Sequence, residues 1–125
     1  MTVRGLIKDQ APVLAGWVDP EGKLCLGGRG PQSFIVDTGF TGAIAVPEEM
    51  LSSLDVEHIG YDTFMLATGR EVELPVFLGE VRIGRRRVQT WFIAGEHLIG
   101  MEFLGAAFSL FQIDFRRGTW ALEPR

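Results

Sequence analysis

The sequence predicts one all-β domain of 125 residues that also contains one or two short helices. Short segments rich in β-branched and aromatic residues alternate with Gly, Pro and charged turns, which is the pattern of a β-barrel or β-sandwich. Apolar residues at helical spacing occur only in two brief segments. No internal repeat, low-complexity stretch or linker divides residues 1–125, so we expect a single domain.

The predicted strands follow one another closely along the chain. They span residues 13–18, 23–26, 33–36, 43–46, 76–83, 88–93 and 108–115, and a last strand is expected over residues 112–123. Residues 19–22, Asp-Pro-Glu-Gly, predict a tight turn between the first two strands, because Pro fixes φ and Gly accepts positive φ. The three arginines at 85–87 follow Gly84 and are interpreted as a solvated hairpin turn.

Two short helices are predicted. Residues 47–54 begin with Pro and two glutamates, which favour the first turn of a helix, and continue with apolar residues at helical spacing. A second helix is expected to begin near Gly100 and to bury Met101, Leu104 and Ala107 as its apolar stripe.

Composition and charge exclude several classes of protein. Twelve basic against sixteen acidic residues give a net charge of −4, which argues against nucleic acid as a partner. No apolar run approaches the roughly 20 residues of a membrane span, and residues 1–10 lack the apolar core of a signal peptide. We therefore expect a cytoplasmic protein with no membrane partner. Cys25 is the only cysteine, so we expect no internal disulfide and no zinc site built on thiolates. We also expect no other metal site and no cofactor.

The candidate for catalysis is Asp37. It ends the apolar run 33–36 and begins the sequence Asp-Thr-Gly, which leads through residues 40–42 into a second apolar run at 43–46. A carboxylate placed at the end of a strand in a Gly-rich loop suggests acid/base chemistry. The alternative interpretation is a plain turn between two strands.

Other reactive side chains are weaker candidates. His58 and His97 lie in polar or loop segments, and no companion spacing supports a metal or triad role. Cys25 lies between Leu24 and Leu26, which predicts a buried or half-buried strand rather than a reactive thiol.

Two motifs together carry a family resemblance. Residues 34–39, Phe-Ile-Val-Asp-Thr-Gly, are followed about sixty residues later by residues 98–104, Leu-Ile-Gly-Met-Glu-Phe-Leu. This pair of motifs resembles the single-domain, retroviral-type (retropepsin-like) aspartic proteases and their bacterial and archaeal relatives. The resemblance covers the chain from Val13 onwards. It implies a closed acid-protease barrel that functions as a twofold homodimer, with a flap hairpin over residues 64–74 whose tip lies at 67–70.

The resemblance also implies the catalytic arrangement. Two carboxylates about 3 Å apart cannot both ionise, and the aspartic-protease pair is the standard illustration of this effect. Because the chain carries one Asp-Thr-Gly, the second Asp37 would come from a second copy. The implied supporting residues of the active loop are Thr38, Gly39, Phe40, Thr41, Leu98, Ile99 and Gly100. The implied substrate-binding flap residues are Met65, Leu66, Ala67, Thr68, Gly69 and Arg70, which would pair with an extended peptide.

The resemblance assigns each supporting residue a task. The Thr38 hydroxyl would hydrogen-bond across the twofold axis, and Gly39 would bring a backbone N–H close to the carboxylate. Residues 98–100 would pass behind the active loop, with Gly100 permitting a close backbone approach. The chain ends would contribute to the dimer interface, so the last strand would leave the apolar residues Phe115, Trp120 and Leu122 exposed in a monomer.

Phe40 departs from the family pattern, which has Ala, Ser or Thr after Asp-Thr-Gly. Without a hydroxyl partner the ionised carboxylates lose a stabilising contact, so activity is expected nearer neutral pH, unless Thr41 supplies the hydroxyl. The predicted function is that of an aspartic endopeptidase cutting extended polypeptide. The alternative is a weakly active or inactive dimeric peptide-binding or assembly module, with Phe40 filling the cleft.

Overall fold

The computed structural model describes residues 2–66 and 68–125 and is dominated by β-strands, as the sequence predicts. The strands are β1 (Val3–Lys8), β2 (Ala11–Val18), β3 (Leu24–Leu26), β4 (Gln32–Val36), β5 (Ile44–Val46), β6 (Glu57–Met65), β7 (Glu71–Ile83), β8 (Arg86–Ala94), β9 (Leu98–Ile99), β10 (Phe108–Asp114) and β11 (Thr119–Pro124). The helices are α1 (Glu48–Ser53) and α2 (Met101–Ala107). Within the described residues, neither helix is long and apolar enough to cross a membrane.

Seven strands close into a barrel. Around the ring the order is β2, β3, β7, β8, β5, β9, β4 and back to β2. Three of these pairings are parallel (β3–β7, β8–β5 and β9–β4), and the other four are antiparallel. Each barrel strand therefore has a neighbour on both sides, which protects its backbone hydrogen-bonding groups.

Two additions flank the barrel. Strand β6 pairs with β7 and makes a long hairpin. Strand β1 pairs with both β2 and β11, and β11 in turn pairs with β10, so a short sheet continues from one side of the barrel. Among the described residues, β10 has one paired edge and one free edge.

The core fills the barrel through the alternation of strand side chains. Phe34 and Val36 on β4 are 0% and 3% exposed, whereas Ile35 between them is 39% exposed. Phe92 on β8 and Phe103 on α2 are also buried. Which strand residues face the interior of the barrel and which face its exterior is thus set by the same period of two that identified the strands.

The predicted single strand over residues 112–123 is wrong. The chain reverses between β10 and β11, where Gly118 has a φ of 65° and the Arg117 N–H donates to the Asp114 carboxylate at 3.0 Å. Trp120 and Leu122 are only 2% and 1% exposed, contrary to the expectation of an exposed edge, because β11 lies between β1 and β10.

The local turn and helix predictions are largely confirmed. The Asp19 N–H donates to the Lys23 carbonyl at 3.0 Å in the turn between β2 and β3, and Gly84, with a φ of 60°, forms the β7–β8 turn. The predicted stripe of α2 needs correction, since Met101 is 47% exposed and Phe103 takes its buried position. Strand β1 was not predicted at all.

Trp120 anchors the flanking sheet to the barrel. Its indole N–H donates to the carbonyl oxygens of Leu6 and Val13, both at 3.1 Å, and its ring packs edge-on against Phe111. We expect Trp120→Ala to lower the free energy of unfolding by about 3–5 kcal/mol, because it removes buried area and leaves a cavity. Urea denaturation measures this, with Met65→Ala as the control: Met65 is 69% exposed, and its loss should cost under about 0.5 kcal/mol. Equal effects of the two substitutions would contradict this account.

We expect Asp19 to make the stability of the fold depend on pH. Its Oδ1 accepts the backbone N–H groups of Lys23 and Glu21, each at 2.9 Å, and its Oδ2 accepts a bond from Arg82 at 2.9 Å. The Lys23 N–H foremost, with Glu21 and Arg82 assisting and burial opposing, holds the Asp19 pKa below its usual value of 3.8. The ionised carboxylate therefore stabilises the fold above the unfolded pKa, and this contribution is lost as the pH falls through the folded pKa.

We therefore expect Asp19→Asn to be less stable than the parent at pH 7, with the difference shrinking as the pH falls below about 4. Urea midpoints at several pH values between 7 and 3 measure it. Glu96→Gln, at an exposed position on another loop, serves as a control and should shift the urea midpoint little at both pH 7 and pH 3. A deficit in Asp19→Asn that stays constant down to pH 3 would show that the carboxylate charge is not the cause.

Candidate active site

Asp37 directly follows β4, at the point where this strand leaves the barrel. The neighbouring strand β9 holds this point, since Val36 pairs with Ile99 and the Asp37 N–H donates to the Ile99 carbonyl at 2.8 Å. Strand β2 holds the other side of β4. The carboxylate thus projects from a rigid junction, which suits a group that must act in a fixed position.

The loop orients one oxygen of the Asp37 carboxylate. The Gly39 N–H donates to Asp37 Oδ1 at 2.9 Å, and the Phe40 N–H donates to the Asp37 carbonyl at 3.1 Å. A Cβ at Gly39 would lie 3.2 Å from Oδ1, so a larger residue would crowd the carboxylate. Thr38 and Thr41 are exposed, and in the described chain neither hydroxyl bonds to the carboxylate.

Residues 99–102 hold the loop from behind through four backbone hydrogen bonds. Besides the bond from Asp37 to Ile99, the Gly100 N–H donates to Ala43 at 2.7 Å, the Met101 N–H to Phe40 at 2.9 Å and the Glu102 N–H to Gly42 at 3.2 Å. A Cβ at Gly100 would collide with the carbonyl oxygens of Phe40 and Gly42. Only Gly permits this approach, and the two sequence motifs therefore meet in space.

Phe40 lies against two glycines. A Cβ at Gly42 would be 2.6 Å from the Phe40 ring, and one at Gly100 would be 2.7 Å from it. These glycines leave the space that the ring occupies, and the half-buried ring lines a pocket beside the loop.

The predicted hairpin is present and is longer than expected, because β6 begins at Glu57 rather than near residue 64. At its turn the Leu66 N–H donates to Arg70 at 2.8 Å and the Gly69 N–H donates to Leu66 at 2.9 Å. Met65, Leu66, Thr68, Gly69 and Arg70 are all exposed. Ala67, also expected at the tip, lies outside the described residues. Phe64 points back toward the active loop, where a Cβ at Gly42 would be 3.4 Å from its ring.

A pocket of about 240 Å³ lies between the active loop and the hairpin. Its walls are largely apolar and come from the loop, from β5, from the hairpin and from β8. The lining includes Phe40, Ile44, Tyr61, Phe64, Trp91 and Ile93, together with the acidic residues Asp62 and Glu102. Of these, the sequence identifies only Phe40 as a site residue, although Phe64 lies in the predicted flap hairpin and Glu102 in the second motif. The others are brought together by strand pairing over long separations.

The other reactive side chains do not form a second centre in the described chain. Burial foremost, and then the neighbouring Asp19 carboxylate, raises the pKa of the Cys25 thiol, so it is a poor nucleophile at neutral pH. His58 contacts the Gly60 carbonyl at 3.0 Å, and His97 packs edge-on against Phe34. Among residues 2–66 and 68–125, no group of three His, Cys, Asp or Glu residues could hold a metal ion.

No family model, curated protein or solved structure matches the chain. The functional interpretation therefore depends on the geometry of the site. A half-buried carboxylate stands on a clamped loop with an exposed tip, next to a largely apolar pocket and a long hairpin.

Proposed function

We propose that the protein is an aspartic endopeptidase, and that it acts as a retropepsin-like twofold homodimer in which each copy contributes one Asp37. The observation that carries the proposal is the oriented Asp37 carboxylate, which accepts the Gly39 N–H at 2.9 Å on a loop clamped by residues 99–102. The Gly39 bond alone is an Asx turn, which ordinary loops also form. Its combination with the backbone hydrogen bonds to residues 99–102 is what favours a catalytic loop over a plain turn. The exposure of Thr38 and Gly39 at the loop tip leaves room for a second copy of the loop to approach.

The chemistry needs two carboxylates that share one proton. The ionised carboxylate takes a proton from a water molecule, whose oxygen attacks the peptide carbonyl carbon, while the protonated carboxylate gives its proton to the carbonyl oxygen. Collapse of the tetrahedral intermediate returns the carbonyl, breaks the C–N bond and transfers a proton to the leaving nitrogen. Because each chain carries one such loop, a twofold axis through the site supplies the pair.

The hairpin would hold the substrate. Its exposed residues Met65, Leu66, Thr68, Gly69 and Arg70 lie at the turn that would close over an extended peptide. A peptide bound in this way pairs with a strand edge through its main chain, while pockets select its side chains. The pocket between the loop and the hairpin is suitably placed to receive one of those side chains.

A mixture of unstructured peptides incubated with the protein from pH 3 to 8 tests the proposal. Mass spectrometry identifies the fragments, and sedimentation in the same buffers gives the oligomeric state. We expect cleavage within the peptides by a dimeric species. A folded dimer that cuts nothing would overturn the proposal in favour of a peptide-binding or assembly module, and cleavage by a proven monomer would overturn the shared pair.

A further inference from the structure

The pocket beside the active loop carries a one-sided charge. Asp62 and Glu102 are its charged lining residues, and no Lys or Arg of the described chain lines it. The two carboxylates come from different elements, Asp62 from β6 in the hairpin and Glu102 from the first turn of α2. Charges of one sign that line a cleft attract a ligand group of the opposite sign.

These two carboxylates are available to a ligand. Both residues are exposed, and within the described chain neither forms an ion pair with a Lys, Arg or His side chain. One oxygen of Asp62 accepts the backbone N–H of Thr63 at 2.8 Å. That bond orients the carboxylate without neutralising its charge.

The walls suit a long side chain with an apolar stem. The volume of about 240 Å³ is below the range of about 300–1,000 Å³ typical of small-molecule pockets, and it corresponds better to a single peptide side chain. Tyr61 and Trp91, both exposed aromatic residues, are among the residues that line it. Methylene groups pack well on such surfaces, and a cation near an aromatic face gains further attraction.

We infer that this pocket selects a Lys or Arg side chain of a bound peptide, with the aliphatic stem along the aromatic wall and the cation between Asp62 and Glu102. The inference rests on the proposed function for the placement of the peptide main chain. The charge preference itself is a property of binding and does not require that the peptide be cut.

Binding of labelled extended peptides that differ at one position tests this inference. The position is scanned through the peptide and carries Lys or norleucine, which keeps the stem and removes the charge. We expect the Lys peptide to bind about fivefold to tenfold more tightly at one position, and the preference to weaken at high salt, because the carboxylates are exposed. Binding is measured with the parent and with Asp37→Asn, because the variant is not expected to cut the peptide during the measurement.

The matched variants carry the same change of charge at two places. Asp62→Asn combined with Glu102→Gln should abolish the preference for Lys over norleucine. Glu48→Gln combined with Glu49→Gln, on α1, should leave the preference intact. Equal binding of the two peptides at every position, a preference that survives in the first double variant, or no peptide binding at all would overturn the inference.

The two proposals can fail separately. A parent protein that binds Lys peptides selectively but cuts none would contradict the protease proposal and support the pocket inference. A parent that cuts peptides through Asp37 with no dependence on Lys or Arg would do the reverse.

Discussion

Replacing Asp37 by Asn is expected to slow peptide cleavage by about 10²–10⁴-fold without unfolding the protein. Asn keeps an oxygen that can accept the Gly39 N–H, so the loop retains its geometry. It cannot take a proton from water or return one, so both halves of the acid/base exchange fail. The measurement is kcat/KM on the best peptide, at the pH where the parent is most active.

Asp114→Asn is the matched control for this substitution. Asp114 is an exposed carboxylate on β10, outside the active loop, and it is bonded locally to Arg117. Its loss should leave kcat/KM within about twofold of the parent. Full activity in Asp37→Asn, prepared in the same way, would contradict the assignment of Asp37 and would point to a different site or to a contaminating protease.

Gly100→Ala is expected to destabilise the fold by about 3 kcal/mol and to remove activity with it. The added Cβ would lie 2.7 Å from the Phe40 carbonyl oxygen and closer still to that of Gly42, and backbone atoms cannot move aside as a flexible side chain can. Relief of the clash would pull residues 99–102 away from the loop that carries Asp37. Urea denaturation and kcat/KM on the same preparation measure both effects.

Gly105→Ala provides the control within the same helix segment. Gly105 lies in α2, and a Cβ there would meet no atom within 4 Å. We expect this substitution to stabilise the protein by about 0.5–1 kcal/mol, because Ala is the better helix former and loses less entropy on folding. If Gly100→Ala were as stable as Gly105→Ala, that result would contradict the close packing of Gly100 against the Asp37 loop.

Local signals predicted most of the barrel. Alternating apolar residues and Gly- or Pro-containing turns correctly indicated the segments that became β2, β4 and β7, and the acid-rich start after Pro47 correctly indicated α1. These features depend on neighbours within a few residues. Their physical causes are therefore visible in the sequence itself.

The errors lie where distant pairing decides the structure. Strand β1 has no clear apolar alternation and forms because it can pair with both β2 and β11. The reversal before β11 depends on Gly118, and the prediction of a continuous strand over residues 112–123 did not take this turn into account. Trp120 is buried for the same reason, since only the position of β11 between two strands covers it.

The site was predictable in part. The resemblance implies that residues 98–100 pass behind the Asp37 loop, and backbone hydrogen bonds do join these segments. The neighbouring pocket was not foreseen, because its walls come from strands far apart in sequence. Trp91, for example, has no local feature that separates it from an ordinary surface position.

Mixing the parent with Asp37→Asn tests the shared carboxylate pair most directly. With free exchange of subunits, the activity per parent subunit should fall to about half in an equal mixture and to about a tenth at ninefold excess of the variant, because mixed dimers hold one functional carboxylate. Exchange is verified by mass spectrometry of tagged subunits. Activity per parent subunit that stays constant through the titration, with mixed dimers present, would contradict the shared pair.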